Sequence, residues 1–486
     1  MPASFLFWTD LSKSSNNEIE DRNLESESLP LSEPPAIPQA PSRITWLPTS
    51  LSSLRHRNYR LFFAGQLISL TGSMMQGAAI GWIVYEITKS KEQLGIIRAL
   101  STVPIMLFAV LGGVIADRYP KRAILLYTQT TAMVLALLMS VLAFNGLSTV
   151  WPIAVIGALG GLVMAFDIPA RQAFVAEMVG RDDLQNAIVL NSSMFNAAAI
   201  IGPAVGGLLM RWGAGYCFLI NGLSFLAVIA GLLMMRLAPH KGKPSGVSAM
   251  KQAAEGFSIV SRRPALRGLL AFIFVTGIFG FSYHVLMPVF ARDILRADEA
   301  GYGLLLSAGG VGAILGAVVL ATLSHMKRRA NMIIAGVILF SVMLFLFGGI
   351  ATPQFAALKL AAAAALAGLT GSAATAWLPF FFLSDFDFWF AIPCLMGAGM
   401  GTMLMASTSN TLLQHSVPHE ARGRVMGVWA LIFVGATPIG SLVAGYAAHT
   451  LGAPLAVQLG ACICGACGLI AMRALSRMRA NGGKPE

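Results

Sequence analysis

Two runs of about 20 apolar residues, Leu94 to Ala116 and Ala123 to Phe144, are separated only by the segment Asp117 to Arg122. Each run is long enough to cross the hydrocarbon core of a bilayer as a helix. The segment between them is too short to fold as a domain. Its three cations, Arg118, Lys121 and Arg122, against the single acid Asp117 mark a cytoplasmic turn under the positive-inside rule. The order Gly113-x-x-x-Asp117-Arg118-x-x-Lys121-Arg122 is more particular than a basic hairpin. Glycine lets two helices approach closely. Asp117 can stabilise a helix N-terminus, and the cations can pair with carboxylates or helix C-termini.

Composition agrees with a membrane solvent. Hydrophobic residues make up 56% of the chain and charged residues 12%, against about 25% charged in soluble domains. The net charge of +12 does not predict a nucleic-acid partner. The cations sit in short loops between apolar runs, where they set topology rather than read phosphates. No cleavable signal peptide is expected, because the first apolar run begins only near Tyr59 and would act as a start-transfer helix. The five cysteines, Cys217, Cys394, Cys462, Cys464 and Cys467, all lie in apolar runs. Cys462-x-Cys464-x-x-Cys467 has no flanking histidine or acid, so it reads as small buried residues and no metal site is expected. No cofactor is expected either, and the lack of a phosphate-binding Gly-rich Lys-Ser/Thr loop argues against direct ATP drive.

The chain reads as a tail, two halves and one insertion. Residues 1–50 are rich in Ser, Glu, Asn and Pro and predict a disordered cytoplasmic tail. Residues 51–237 hold six apolar runs, Leu61–Tyr85, Leu94–Ala116, Ala123–Phe144, Trp151–Ile168, Ala187–Met210 and Gly215–Met235. Residues 238–267 form a polar, basic cytoplasmic loop, in which Met250 to Val260 has the spacing of an amphipathic surface helix. Residues 268–475 hold six more runs, Leu269–Phe290, Leu304–Leu323, Met332–Ile350, Phe390–Leu412, Val425–Ala447 and Leu455–Met472. Residues 476–486 form a cytoplasmic C-terminal tail.

One apolar stretch is left over within an insertion at 353–388, from Phe355 to Leu383. It is long enough for a further crossing. The loop of Lys327, Arg328 and Arg329, the loop of Arg422 and Arg424, and the tail of Arg473, Arg477 and Arg479 are all basic. An odd number of crossings would put the last two outside, so a re-entrant or membrane-lying element is expected, with Pro379 and the Asp385/Asp387 pair at its exit.

The halves resemble each other, as parallel repeats should. Val179-Gly180-Arg181-Asp182-Asp183 precedes a run with Gly202-Pro203-x-x-Gly206-Gly207. Val417-Pro418-His419-Glu420-Ala421-Arg422-Gly423-Arg424 precedes a run with Pro438-x-Gly440 and Gly445. Together with the Gly113–Arg122 turn, these residues resemble the major facilitator superfamily of transporters. The resemblance spans nearly all of Leu54 to Arg473. Within the superfamily it is similar to the enterobactin exporter-like permease branch, through Leu54-Arg55-x-Arg57-Asn58-Tyr59-Arg60, Gly65-Gln66-x-x-Ser69, Gly81-Trp82-x-x-Tyr85-Glu86-x-Thr88, Ile168-Pro169-Ala170-Arg171-Gln172-Ala173, Leu184-x-Asn186-Ala187-x-x-x-Asn191-Ser192 and Arg422-Gly423-Arg424-Val425-Met426-Gly427. The chain departs from the family pattern at Pro120, where glycine is common, and at His325-Met326-Lys327-Arg328-Arg329, which lacks the acid.

The resemblance implies an all-α integral membrane protein of twelve transmembrane helices, with two six-helix halves in pseudo-two-fold relation, in a bacterial inner membrane. It implies a secondary transporter rather than an enzyme, with a small organic molecule as substrate, membrane lipids around it, protons as the expected drive and a monomer as the expected state. The element Gly202, Pro203, Gly206 and Gly207 is similar to a helix-five motif of proton-driven exporters, which favours export. An importer or facilitator on the same fold is the alternative. A polytopic enzyme or sensor would need a catalytic constellation or output domain that is not visible.

Charges inside a membrane face a cavity or a partner. Asp167 reads as a gate partner of Lys121 or Arg118, the alternative being a helix-end charge bonding Arg171. Arg98 reads either as a cavity charge or as a cation snorkelling to the headgroups. His284 is the only central group that titrates near neutral pH, although a lone histidine is more often a packing residue. Gln66, Asn191, Asn196 and Asn410 are candidate cavity amides. The loop bearing Asp117 is expected to contact the start of the eleventh span when the inner side is closed.

Overall fold

The computed structural model describes residues 49–237, 249–323, 329–369 and 385–480. The expected disordered tail therefore lies almost entirely outside the described residues, as do Lys327, Arg328 and Pro379. The helices are α1 (Arg57–Thr88), α2 (Lys91–Arg118), α3 (Lys121–Phe144), α4 (Val150–Gly180), α5 (Asp182–Met210) and α6 (Ala214–Met234). They continue as α7 (Ala249–Arg262), α8 (Pro264–Ile294), α9 (Glu299–Thr322), α10 (Arg329–Gly349), α11 (Pro353–Leu369), α12 (Phe386–His415), α13 (His419–Leu451) and α14 (Ala453–Ala480). Among the described residues twelve of these are long and apolar enough to cross a membrane, all but α7 and α11. The all-α, twelve-span fold read from the sequence is the fold observed.

Local chemistry sets the breaks. Lys89 adopts a left-handed conformation that closes α1, and the Ser90 side chain caps α2 by accepting from the Gln93 N–H at 3.3 Å. Pro120 opens α3, where its lack of an N–H costs nothing. Gly180, at φ +72°, turns the chain sharply between α4 and α5, a conformation most residues with a Cβ avoid. Asp298 caps α9 by accepting from the Gly301 N–H at 2.8 Å. Within α8 the regular helix is interrupted by π-helical turns at Thr276–Gly280 and Phe290–Ile294, a feature concentrated at functional sites.

Close packing in lipid comes from small residues, because the tails are as apolar as the helices and supply no hydrophobic drive. A methyl group on Gly112 of α2 would lie 2.1 Å from the Ala165 carbonyl oxygen, and one on Gly161 of α4 would lie 2.1 Å from that of Ser101. The second half repeats the pattern. Methyls on Gly312 of α9 and Gly399 of α12 would lie 1.8 Å and 2.0 Å from the carbonyl oxygens of Met396 and Gly309. The second and fourth spans of each half thus meet through the same device. Gly112, rather than Gly113, is the packing glycine of the first turn; nothing lies within 4 Å of a Cβ on Gly113.

The amphipathic helix expected at Met250–Val260 is present as α7 and packs on the start of α13. Glu255 pairs with Arg424 at 2.8 Å, and a Cβ on Gly256 would lie 2.5 Å from the Arg424 carbonyl oxygen. In the insertion, α11 is tied to α12 by Lys359 and Asp387 at 2.8 Å, and Phe355 packs on Phe390 with ring centres 5.1 Å apart. Residues 370–384, which would decide between a crossing and a re-entrant element, lie outside the described residues.

Candidate functional site: gates at both ends of a central cavity

Turns after α2, α4 and α12 carry most of the expected cytoplasmic cations and define a basic end. Asp167 lies there on α4 and is only 1% exposed. A carboxylate at that depth needs partners, and it has three. Arg171, one turn along α4, pairs with Oδ2; Thr128 and Gln129 of α3 donate to Oδ1 at 2.9 and 2.7 Å. Arg171 also donates to Gln66 Oε1 at 3.2 Å. The expected pairing of Asp167 with Lys121 or Arg118 is not made. Arg171 is already in reach at i+4, and Lys121 instead pairs with Glu177 at 2.7 Å. Arg122 donates to the Leu233 carbonyl at 3.0 Å and Arg57 to that of Met234 at 3.1 Å, so both cations cap the C-terminus of α6.

Asp117 and Arg118 are exposed, and neither has an ion-pair partner among the described residues. The expected contact of Asp117 with the start of α13 is absent in this conformation. Arg424 is held by Glu255, Arg422 is half-buried, and Gly423 faces open space. His56 and Asp183, at 2.6 Å, tie the segment before α1 to the start of α5.

At the far end the two halves are joined. The Tyr85 hydroxyl donates to the Asp293 carboxylate, Glu86 faces Arg292 at 3.5 Å, and Arg292 lies 5.6 Å from the centre of the Trp82 ring. Arg211 pairs with Asp298, whose carboxyl is held below the usual carboxylate range, first by the Gly301 N–H and further by Arg211. Tyr302 donates to the Ala78 carbonyl at 3.3 Å, and its ring lies 5.2 Å from that of Trp82. Glycines seal the rest. Gly202 and Gly206 seat α5 on α1 at Met74 and Met75; Gly207 and the Pro203 carbonyl meet Gly303 of α9. On the opposite side, Gly95 of α2 meets Ser441 and Gly445 of α13. The element Gly202, Pro203, Gly206 and Gly207 is thus a crossing point of helices from both halves.

Between these ends, Arg98 of α2 and His284 of α8 are solvent-accessible although surrounded by helices, as residues lining a cavity are. Arg98 lies within Coulomb reach of His284 and Tyr302. His284 stacks on Tyr283 with ring centres 4.1 Å apart. Of the candidate amides, Gln66 is buried at 2% exposure within the first half, and Asn191 accepts from Tyr59 at 3.3 Å. Gln66 thus packs within the first half, and Asn191 is half-buried. Asn410 accepts from Gln414 at 2.6 Å, and Asn196 is half-buried. A narrow aromatic cleft lies inside the second half, lined by Phe281, Trp429 and Phe433 and by Thr276 of the first π-helical turn. The Ser409 Oγ and Trp429 Nε1 atoms beside it are buried with no hydrogen-bond partner among the described residues.

Sequence reading did not single out Glu177, Asp293, Arg292, Arg211 or Asp298 as site residues. Complementary charges beside short turns were the available signal. Tyr85 and Asp293, 208 positions apart, have no spacing that would connect them.

The profile of the transmembrane secretion effector family matches residues 48–379. The chain is 26% identical over 293 residues to the staphyloferrin A transporter of Staphylococcus aureus, covering 59% of this chain and 72% of that one. It is 25% identical over 410 residues to the multidrug efflux pump Tap of Mycolicibacterium fortuitum, covering 81% and 89%. It is 24% identical over 406 residues to the enterobactin exporter EntS of Shigella flexneri, covering 82% and 87%. Among solved structures, the nucleoside transporter NupG superposes with a TM-score of 0.64 at 10% identity, covering 87% of this chain and 98% of that one. That likeness is one of fold.

Proposed function

The chain belongs to the transmembrane secretion effector family of the major facilitator superfamily, and from that premise we propose that it exports a small organic molecule from the cytoplasm by alternating access, driven by proton entry. The family membership makes it a multi-pass membrane transporter rather than an enzyme. In the proposed reading the basic end faces the cytoplasm under the positive-inside rule, and a single chain surrounded by lipid suffices.

The observation that carries the reading is the asymmetry between the two ends. The clasp of Tyr85, Asp293, Glu86, Arg292, Arg211 and Asp298 joins the halves at the far end. At the basic end, Asp167–Arg171 and Lys121–Glu177 stay within the first half, and Asp117 has no ion-pair partner among the described residues. That asymmetry supports a carrier whose cavity opens toward the basic end. Rocking of the halves about a midplane site would then exchange one set of contacts for the other. An efflux pump and an exporter among the relatives support the outward direction, as does the Gly202–Gly207 element. Siderophores and drugs are the first cargo classes to test. His284 is the titratable group best placed in the cavity to carry a proton, because Asp167 is engaged by Arg171.

Efflux from preloaded vesicles of siderophores and hydrophobic drugs, across an imposed pH gradient, tests the reading. Efflux that requires the chain and collapses with an uncoupler is expected. Chain-dependent efflux that is indifferent to the gradient and to the uncoupler would overturn proton drive and leave a facilitator.

A further inference from the structure

Arg98 sits seven residues into α2, roughly 10 Å along the helix axis from its start. Its side chain reaches solvent inside a ring of helices from both halves and lies within Coulomb reach of His284 on α8 and Tyr302 on α9. Among the described residues no carboxylate pairs with it. Of the far-end acids, Asp293 is held by Tyr85, Glu86 by Arg292 and Asp298 by Arg211, while Glu92 and Glu299 stand in the first turns of α2 and α9. A permanent cation held inside a membrane protein without a countercharge is costly. His284 across the cavity, when protonated, adds like charge rather than relief.

From this uncompensated charge we propose that the cavity takes an organic anion, held by a carboxylate or other acidic oxygen pair at the Arg98 guanidinium. The proposal rests on the transport reading above and names the substrate class for it. A guanidinium presents two parallel N–H donors that match a carboxylate, and such bidentate, charge-assisted pairs are among the strong ones. The anion supplies the countercharge that the fold omits. An organic cation would meet like charge at Arg98. The choice of ligand sign therefore comes from the site and not from the relatives. The π-helical turn at Thr276–Gly280 in the helix that bears His284 gives the second-half wall a backbone able to shift as the ligand enters.

The test uses the purified full chain in detergent and a panel of aromatic and aliphatic carboxylates, each paired with its neutral methyl ester. The readout is ligand-induced thermal stabilisation, which needs no transport. Carboxylates are expected to stabilise the wild-type chain more than their esters do. Arg98→Gln is expected to weaken that binding about tenfold or more, while Arg98→Lys retains part of it. The two variants are compared at matched melting temperature without ligand, so that a folding defect is separated from a binding defect. Preference for the esters, no carboxylate preference across the panel, or full carboxylate preference in Arg98→Gln overturns the proposal. Carboxylate binding through Arg98 combined with gradient-independent efflux would leave the anion site standing and sink the export mechanism instead.

Discussion

Gly207 on α5 and Gly303 on α9 meet backbone to backbone: a Cβ built on Gly207 would lie 3.0 Å from the Gly303 Cα. A Cβ on Gly95 of α2 would lie the same 3.0 Å from the Gly445 Cα of α13. The first contact joins the fifth span of the first half to the second of the second half, and the second joins the second span of the first half to the fifth of the second half. The far end is therefore closed by two matched glycine crossings, each joining one half to the other. Interfaces of this kind are bistable, since packed helices either seat or separate.

Gly207→Leu should prevent the far end from seating. The new side chain would meet the Glu299 carbonyl oxygen 2.6 Å from its Cβ, and overpacking of this sort costs roughly 1–3 kcal/mol. Cysteines at positions 211 and 298 should crosslink readily in the parent and much less in the variant. Gly113→Ala, placed in open space, should crosslink like the parent. Equal yields in all three would show that the glycine crossing does not control closure.

The clasp should depend on the charge of Asp293. Asp293→Asn removes the carboxylate that accepts from Tyr85. Hydrogen bonds to charged groups contribute about 1.5–3 kcal/mol, so the far end should open roughly tenfold or more often. Labelling of a cysteine at position 284 from the far side reports the opening. The Arg211–Asp298 pair should behave differently with pH. Its carboxyl is lowered in the folded state, so its contribution is present above the ordinary carboxylate range and is lost only as pH falls through the lowered value. Acidifying the medium from pH 8 to about pH 5 should leave the far-side labelling of the position-284 cysteine unchanged relative to a free thiol, with Arg211 and Asp298 both in place.

Asp167→Asn should destabilise the first half strongly. It leaves the largely buried Arg171 guanidinium, 20% exposed, without its carboxylate. Breaking a buried pair on one side costs about 3–5 kcal/mol. The double variant Asp167→Leu with Arg171→Met should be more stable than either single change, as judged by thermal melting in detergent. Additive losses would mean that the pair is not coupled.

Asp117→Asn should leave melting unchanged, because this acid is exposed and has no ion-pair partner among the described residues, yet it should abolish transport. The expected role of Asp117 lies in the alternate state, where the basic end closes. Wild-type efflux by this variant would remove the turn from the gate.

Much of this protein was decided by local sequence. Runs such as Leu94–Ala116 and Ala123–Phe144 make helices because lipid offers the backbone no other partner, and their length matches the bilayer. The turns at Pro120 and Gly180 follow from residues that end helices or tolerate positive φ. The i, i+4 spacing of Asp167 and Arg171 made that pair legible as an alternative, and it is the pair that forms. Which glycine packs was not legible: Gly112 and Gly113 are neighbours in sequence, but only one faces Ala165. The far-end clasp was not legible either, since it unites α1 with α8 and α5 with α9 across the boundary between halves. The same holds for Arg98. Its charge and depth are written in the chain, but its Coulomb reach to His284 and Tyr302 exists only once helices distant in sequence pack together. Hydropathy and turn chemistry act over a few residues, whereas pairing across a cavity depends on how whole helices rotate and cross, and that was settled by tertiary packing alone.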